Sequence, residues 1–357
     1  MASIYLDYNA STPIDPAASA AMRPFLADAF GNPSSGHWAS APAKAALEKA
    51  RGQVAGLLGC AAGKVVFTSG GSEVNNFALK GVLFALRRKD EHIIITAVEH
   101  PAILGPCRFL ERLGAADTYL PVDRTGGIDP DAVRRAITPR IVLISIMHAN
   151  NEVGTVQPIT EIGRIARDHG VLFHSDAAQL ADKTPTNVDE PGVDLLTIVG
   201  HKLYAPKDVG ALYIRRAGTE SALLAVGLGV ACALVQDLAP TARVKTLRDR
   251  LWSDLQRYFG DRVVLNGHPD RRLPNALNVS FVGRVGAEIL AGLHGVAAST
   301  GSACQAARIE LSPVLRAMGV PPEIGMGAIR FSLGRYTTAD EVDAVGDRLS
   351  HMLANAA

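Results

Sequence analysis

Several apolar runs in this chain stop on polar groups able to do chemistry. Lys202 follows DLLTIV in VGHKLYAPK (199–207), with His201 beside it. Asp176 sits in HSDAAQ (174–179) at the end of another run, with Gln179 three residues on. His100 follows HIIITA in TAVEHPAI (96–103), and Asn150 and Asn151 follow IVLISI in MHANNEVGTVQP (147–158). In TSGGSEVNN (68–76) a strand-like segment passes through small residues into a helix-like one. Such a turn gathers free N–H groups and a helix dipole near Gly71 and Ser72, which suits a phosphate. A carboxylate and an amine at adjacent strand ends reach one edge of a sheet, where open α/β folds bind ligands. Pyridoxal 5'-phosphate needs these three things: a phosphate site, a carboxylate for its pyridinium nitrogen and an amine for its aldehyde. Burial near other cations lowers a lysine's pKa and makes it a nucleophile and base. Taken singly, each feature has an ordinary reading as a turn, a helix cap or a surface residue. Their repetition at successive strand ends favours the chemical one.

The elements that must position these groups follow from periodicity. Strands are predicted at 64–68, 92–97, 141–146, 171–175, 194–199 and 210–214, and helices at 43–58 and 160–169, the latter stopped by Gly170. Continuously apolar strands alternating with helices predict a mostly parallel sheet covered on both faces. After about residue 240 the pattern changes to a long amphipathic helix, strands in NALNVSFVG and AIRFSLG, and a last helix opened by the capping box of Thr338 and Glu341. The expected division is a large domain over 15–239 and a smaller α+β domain made of 1–14 and 240–357.

The 357 residues carry 36 basic and 35 acidic side chains, so charge gives no reason to expect nucleic acid or a membrane surface as partner. The N-terminus lacks a secretory signal pattern, and the longest apolar run, Ala222–Val235, is short for a membrane span and reads as a buried helix. Cys60, Cys107, Cys232 and Cys304 show no CxxC or metal-ligand spacing, which points to a reducing, cytoplasmic setting and no metal site. No GxGxxG with a following acidic residue is present, which argues against a nicotinamide enzyme.

The ordered set LDYNASTP, FGNPSS, TSGGSEVNN, VEHPA, HANNEVGTVQP, HSDAAQ, GHKLYAPK, TGSAC and IRFSLGRYTT resembles the NifS/IscS-type cysteine desulfurases, class V aminotransferases of the aspartate-aminotransferase fold (pyridoxal-phosphate fold type I). The resemblance implies that Lys202 holds the cofactor's aldehyde and shuttles the substrate's Cα proton. It places Asp176 at the pyridinium nitrogen, His100 on the ring, and Asn151 and Gln179 near the phenolic oxygen. Gly71, Ser72 and His201 would hold the phosphate, Thr219 would correspond to a threonine reaching a partner subunit's phosphate, and Arg330 would clamp the substrate carboxylate. Cys304, in STGSACQAARIELSP, would accept the sulfur of L-cysteine; its small, polar surroundings predict an accessible loop, whereas the other three cysteines read as packing residues. A homodimer and a sulfur-accepting protein, such as an iron–sulfur scaffold, are further implications. Selenocysteine lyase, another class V reaction, and a catalytically impaired homologue serving as a binding subunit are the alternatives. Three departures motivate the last of these. Val199 stands where the family usually has serine, and Asp208 where it has glycine. GALYIRR also runs directly into AGTES without the family's glycine-rich hairpin.

Overall fold

The computed structural model describes residues 3–86, 91–215, 222–301 and 310–354. Its twelve strands are β1 (Ile4–Tyr5), β2 (Val65–Thr68), β3 (His92–Thr96), β4 (Ala116–Leu120), β5 (Ile141–Ser145), β6 (Leu172–Asp176), β7 (Leu195–Val199), β8 (Gly210–Ile214), β9 (Val263–Asn266), β10 (Ala276–Phe281), β11 (Val296–Ala297) and β12 (Ala328–Ser332). Seven form one sheet in the order β2-β8-β7-β6-β5-β3-β4, and only β8 runs against its neighbours. This is the mostly parallel sheet predicted from the apolar runs.

Both faces of the sheet are buried, as the unbroken apolar strands require. Ile93, Ile95, Leu143, Leu195 and Leu212 point to the side covered by helices Gly71–Leu86 and Pro101–Glu111. Their neighbours Ile94, Ile144, Leu196 and Ala211 point to the other side, under helices Ala41–Leu58, Ile159–Asp168 and Ala222–Leu234. The apolar run read as a buried helix is helix Ala222–Leu234, with Leu228, Ala231 and Cys232 wholly inside. No single helix among the described residues is long and apolar enough to cross a membrane.

A second core gathers around the antiparallel sheet β12-β10-β9. Helices Ala239–Phe259 and Ala339–Ala354 bury Leu247, Leu251, Val342, Val345 and Leu349 against Leu277, Val279, Ile329 and Phe331. Ile4 and Leu6 join this core, and β1 pairs with β11. The capping box forms: Thr338 N donates to Glu341 Oε2 at 2.8 Å, and Glu341 N to Thr338 Oγ1 at 3.3 Å. Three strands were not anticipated, β4, β9 and β11, and each lies at a sheet edge.

Candidate active site

Parallel strands deliver their carboxyl ends to one rim, so the polar groups that stop the apolar runs converge. A cavity of about 300 Å³ opens there, lined among others by Gly71, Ser72, His100, Asn151, Asp176, Gln179, His201, Lys202 and Arg330. Nine of the eleven residues given a role by the family resemblance thus line one cavity; the other two, Thr219 and Cys304, lie outside the described residues. Asn150 does not face the cavity group. Its Oδ1 accepts from Glu152 N and Val153 N and its Nδ2 donates to Val98 O, so it shapes the turn that presents Asn151.

Lys202 follows β7 in a short 3-10 turn, and its Nζ donates to the carbonyl oxygens of Asn9 and Ala10, each at 2.7 Å. Burial, with Arg330 and Lys183 nearby, brings its pKa down to about 8 against the opposing pull of Asp7 and Asp176. Asp176 is the last residue of β6, one beyond the predicted strand end. Its Oδ1 accepts from Ala178 N at 3.0 Å and its Oδ2 from Asn75 Nδ2 at 2.7 Å. His100 caps helix Pro101–Glu111 with its ring, Nδ1 accepting from Ala102 N at 3.1 Å, so any ring proton sits on Nε2. Burial first, then Lys202, lowers its pKa although Asp176 opposes this. Burial and the ammonium groups of Lys202 and Lys207 bring His201 down to about 4. Both imidazoles are therefore neutral at pH 7.

Gly71 and Ser72 open the sixteen-residue helix Gly71–Leu86, whose first N–H groups have no partner within the helix. Arg330, on β12, is 1% exposed. Its Nη2 donates to Asp7 Oδ1 at 2.6 Å and its Nη1 to Asn151 O at 3.1 Å. Gln179 gives its Nε2 to Asn9 O at 3.0 Å. Among the described residues, Gln179 Oε1 and Arg330 Nε are buried without a hydrogen-bond partner. An amine, a carboxylate and a helix N-terminus around one cavity can hold a ring bearing an aldehyde, a basic nitrogen and a phosphate, and a guanidinium beside them can take a carboxylate.

The aminotransferase class-V family model matches residues 4–222 and 215–345, which together span most of the chain. A cysteine desulfurase IscS of Dictyoglomus turgidum is 45% identical, covering 98% of this chain and 94% of its own length. The chain belongs to the cysteine desulfurases of this family. A mouse cysteine desulfurase is 42% identical over 98% of this chain and 81% of its own. Among solved structures, a NifS-like protein superposes with TM-score 0.91 at 32% identity, covering 99% of this chain and 100% of that one. A structure described as SspA in complex with cysteine gives TM-score 0.82 at 35% identity, covering 94% and 100%. Class V enzymes of this kind depend on pyridoxal phosphate, and the fold class read from the sequence is that of these neighbours.

Val199 lies beneath the N-terminus of helix Gly71–Leu86: a Cβ on Gly71 would come within 2.8 Å of Val199 Cγ2. Asp208 has φ +56°, the left-handed region that favours glycine, and it is exposed beside Lys207 in an open outer cavity whose wall also includes Gly71, Ser72 and His201. The two family matches overlap at 215–222, where the hairpin is missing. The alignment to the Dictyoglomus relative runs over 372 positions, more than this chain's length, so that relative carries residues with no counterpart here.

Sequence reasoning assigned no part to Asp7, Asn9, Asn75 or Thr197. Asn75 had one available signal: it stands one helical turn after Gly71 and so shares its face. The contacts of Asp7 and Asn9 join chain segments hundreds of residues apart, which no local pattern records.

Proposed function

We propose that this chain is a pyridoxal-phosphate-dependent enzyme that converts L-cysteine to L-alanine and carries the sulfur as a persulfide on Cys304, for iron–sulfur cluster or thio-cofactor assembly. The observation that carries this reading is the single cavity joining Lys202, Asp176, His100, the Gly71–Ser72 helix start and Arg330. The residues present fit the cofactor. The helix N-terminus supplies donors for a phosphate, Asp176 an acceptor for a ring N–H, and Lys202 an amine of lowered pKa. The unpartnered Gln179 Oε1 and Arg330 Nε mark a wall made for a polar ligand.

The bound cofactor would supply an electron-withdrawing ring that stabilises negative charge at the substrate's Cα. Lys202 Nζ would take the Cα proton and hold it within the cavity. His100, neutral and carrying its proton on Nε2, would lie over the ring and exchange protons with the substrate. Arg330 would pair with the substrate carboxylate through its unused N–H groups and so fix the amino acid's orientation. The Cys304 thiolate would attack the substrate sulfur: a sulfur–sulfur bond forms, the carbon–sulfur bond breaks, and its electron pair with a proton completes the methyl group of alanine. Ser299, five residues before Cys304 in the sequence, pairs through its backbone with Arg330, which supports this role.

The two cores support a large domain over 15–239 and a small one made of 1–14 and 240–357. The further proposal is a cytoplasmic homodimer that hands sulfur to an acceptor protein; the free thiols of Cys60, Cys107 and Cys232 suit a reducing compartment. The test is alanine formation by cofactor-loaded protein from cysteine and from selenocysteine, with and without Cys304→Ala. Cysteine should be turned over and the substitution should lower that rate at least about a hundredfold, the loss expected when a nucleophile is removed. Full activity in Cys304→Ala would refute the role of the thiol. A parent protein that binds no cofactor would favour a binding subunit instead.

A further inference from the structure

His174 is buried in the middle of the large sheet, two residues before Asp176, and the proposed reaction does not use it. Strand register fixes its neighbours. The pairing of β5 with β6 sets Ser145 beside His174, and that of β6 with β7 sets Asp176 beside Thr197. Two apart on one strand, His174 and Asp176 face the same side, the side covered by helix Gly71–Leu86. The side chains there form an unbroken line. Ser145 Oγ lies 2.8 Å from His174 Nδ1, and His174 Nε2 lies 3.0 Å from Thr197 Oγ1. Thr197 Oγ1 donates to Asn75 Oδ1 at 2.7 Å, and Asn75 Nδ2 donates to Asp176 Oδ2 at 2.7 Å. Ser145, His174, Thr197 and Asn75 are all at most 1% exposed.

Counting protons gives the line a direction. Asn75 presents an N–H to Asp176, so its Oδ1 accepts, and the one hydroxyl proton of Thr197 goes there. Thr197 Oγ1 can then only accept from His174. Nε2 therefore carries the imidazole proton, and the bare Nδ1 accepts from the Ser145 hydroxyl. A charged imidazole would donate from both nitrogens and turn that hydroxyl away. Burial keeps the ring neutral, with its pKa at about 4, although the Asp176 carboxylate pulls the other way. Every donor in the line points towards Asp176.

We infer that His174 is a positioning residue for Asp176, acting through Thr197 and Asn75 to hold the carboxylate aimed into the cavity. This rests on the pyridoxal-phosphate reading of that cavity. Thr197→Val keeps the shape and removes both hydrogen bonds, while Thr197→Ser keeps the hydroxyl. Titrated with pyridoxal phosphate, Thr197→Val should bind about tenfold more weakly than the parent, the cost of releasing one hydrogen bond to a charged group, and Thr197→Ser should bind within about twofold of it. In cofactor-free parent protein labelled with ¹⁵N-histidine, NMR should show His174 as the Nε2–H tautomer with no titration between about pH 5.5 and 8.5. Equal affinity of Thr197→Val and parent, or an Nδ1–H tautomer, or a titration near the ordinary histidine value, each overturns the inference. A parent that takes up no pyridoxal phosphate overturns the cofactor reading instead, and the tautomer still decides the direction of the line. The NMR measurement needs no variant to fold.

Discussion

Lys202 Nζ donates to the carbonyl oxygens of Asn9 and Ala10, 193 and 192 residues earlier in the chain. Two carbonyl acceptors favour the ammonium form, yet burial and the cations Arg330 and Lys183 outweigh them and bring the pKa down to about 8. The neutral amine is the form that attacks an aldehyde. With a pKa of about 8, its fraction grows about tenfold between pH 7 and pH 9 and then levels off. The rate at which cofactor-free protein captures pyridoxal phosphate, followed by stopped-flow absorbance, should rise by that factor over the same interval. A rate still climbing steeply above pH 9.5 would mean that Lys202 keeps an ordinary lysine pKa.

Gly71 and Val199 are in contact at the start of the phosphate-side helix. A methyl group on Gly71 would sit 2.8 Å from Val199 Cγ2, closer than two carbons tolerate, so the helix start or the valine must move. Gly71→Ala should weaken pyridoxal-phosphate binding about tenfold, as a displaced set of N–H donors would. Val199→Ala makes room, and Gly71→Ala with Val199→Ala should recover most of the loss, a coupling that a fluorescence titration of the four proteins measures. Additive losses would show that the contact is not the cause.

The strands legible in the sequence are the buried ones, because a strand covered on both faces must be apolar throughout. β4 (ADTYL) and β9 (VVLN) escaped because each leaves side chains part-exposed at a sheet edge, so neither needs an unbroken apolar run. The site was legible for a related reason. A parallel sheet brings its strand ends together, so His100, Asn151, Asp176 and Lys202 could be grouped from the positions where apolar runs stop. What holds these groups could not be seen. Asp7 reaches Arg330 across 323 residues, and Asn75 reaches Asp176 across 101. Such contacts depend on how the two cores meet and how a helix lies over the sheet. The pairing of Thr197 with Asp176 likewise exists only once strand register is set.

Arg330 is held rigidly before any substrate arrives, by Asp7 at 2.6 Å and by the Asn151 carbonyl at 3.1 Å, with Nε left over. A lysine at this position keeps the charge but has one nitrogen for all these partners, so it cannot also grip a carboxylate through two parallel bonds. Arg330→Lys should raise KM for cysteine about thirtyfold, the equivalent of about 2 kcal/mol. Pyridoxal-phosphate affinity should change by less than about threefold, since no cofactor atom is assigned to this side chain. Steady-state alanine formation and a cofactor titration separate the two effects. An unchanged KM would remove Arg330 from substrate binding.

Glu99 is wholly buried beside His100, accepting from Thr96 Oγ1 at 2.7 Å and from Met147 N at 3.0 Å. Burial pushes its pKa up to about 8, and the Asp176 carboxylate adds to the rise, while the hydrogen bonds from Thr96 and Met147 resist it. The folded chain therefore keeps a proton that the unfolded chain releases at the ordinary glutamate value. Linkage fixes the sign: this contribution to stability is complete below that value and is lost as pH rises towards the folded pKa of about 8. Glu99→Gln cannot ionise and can still accept from both donors through its carbonyl oxygen. Between about pH 5 and pH 8.5 the thermal midpoint of the cofactor-free parent should fall by a few degrees more than that of Glu99→Gln. Parallel pH profiles for the two proteins would mean that Glu99 is ionised in the fold like a surface carboxylate, and that the Asp176 side of the cavity already tolerates a second negative charge.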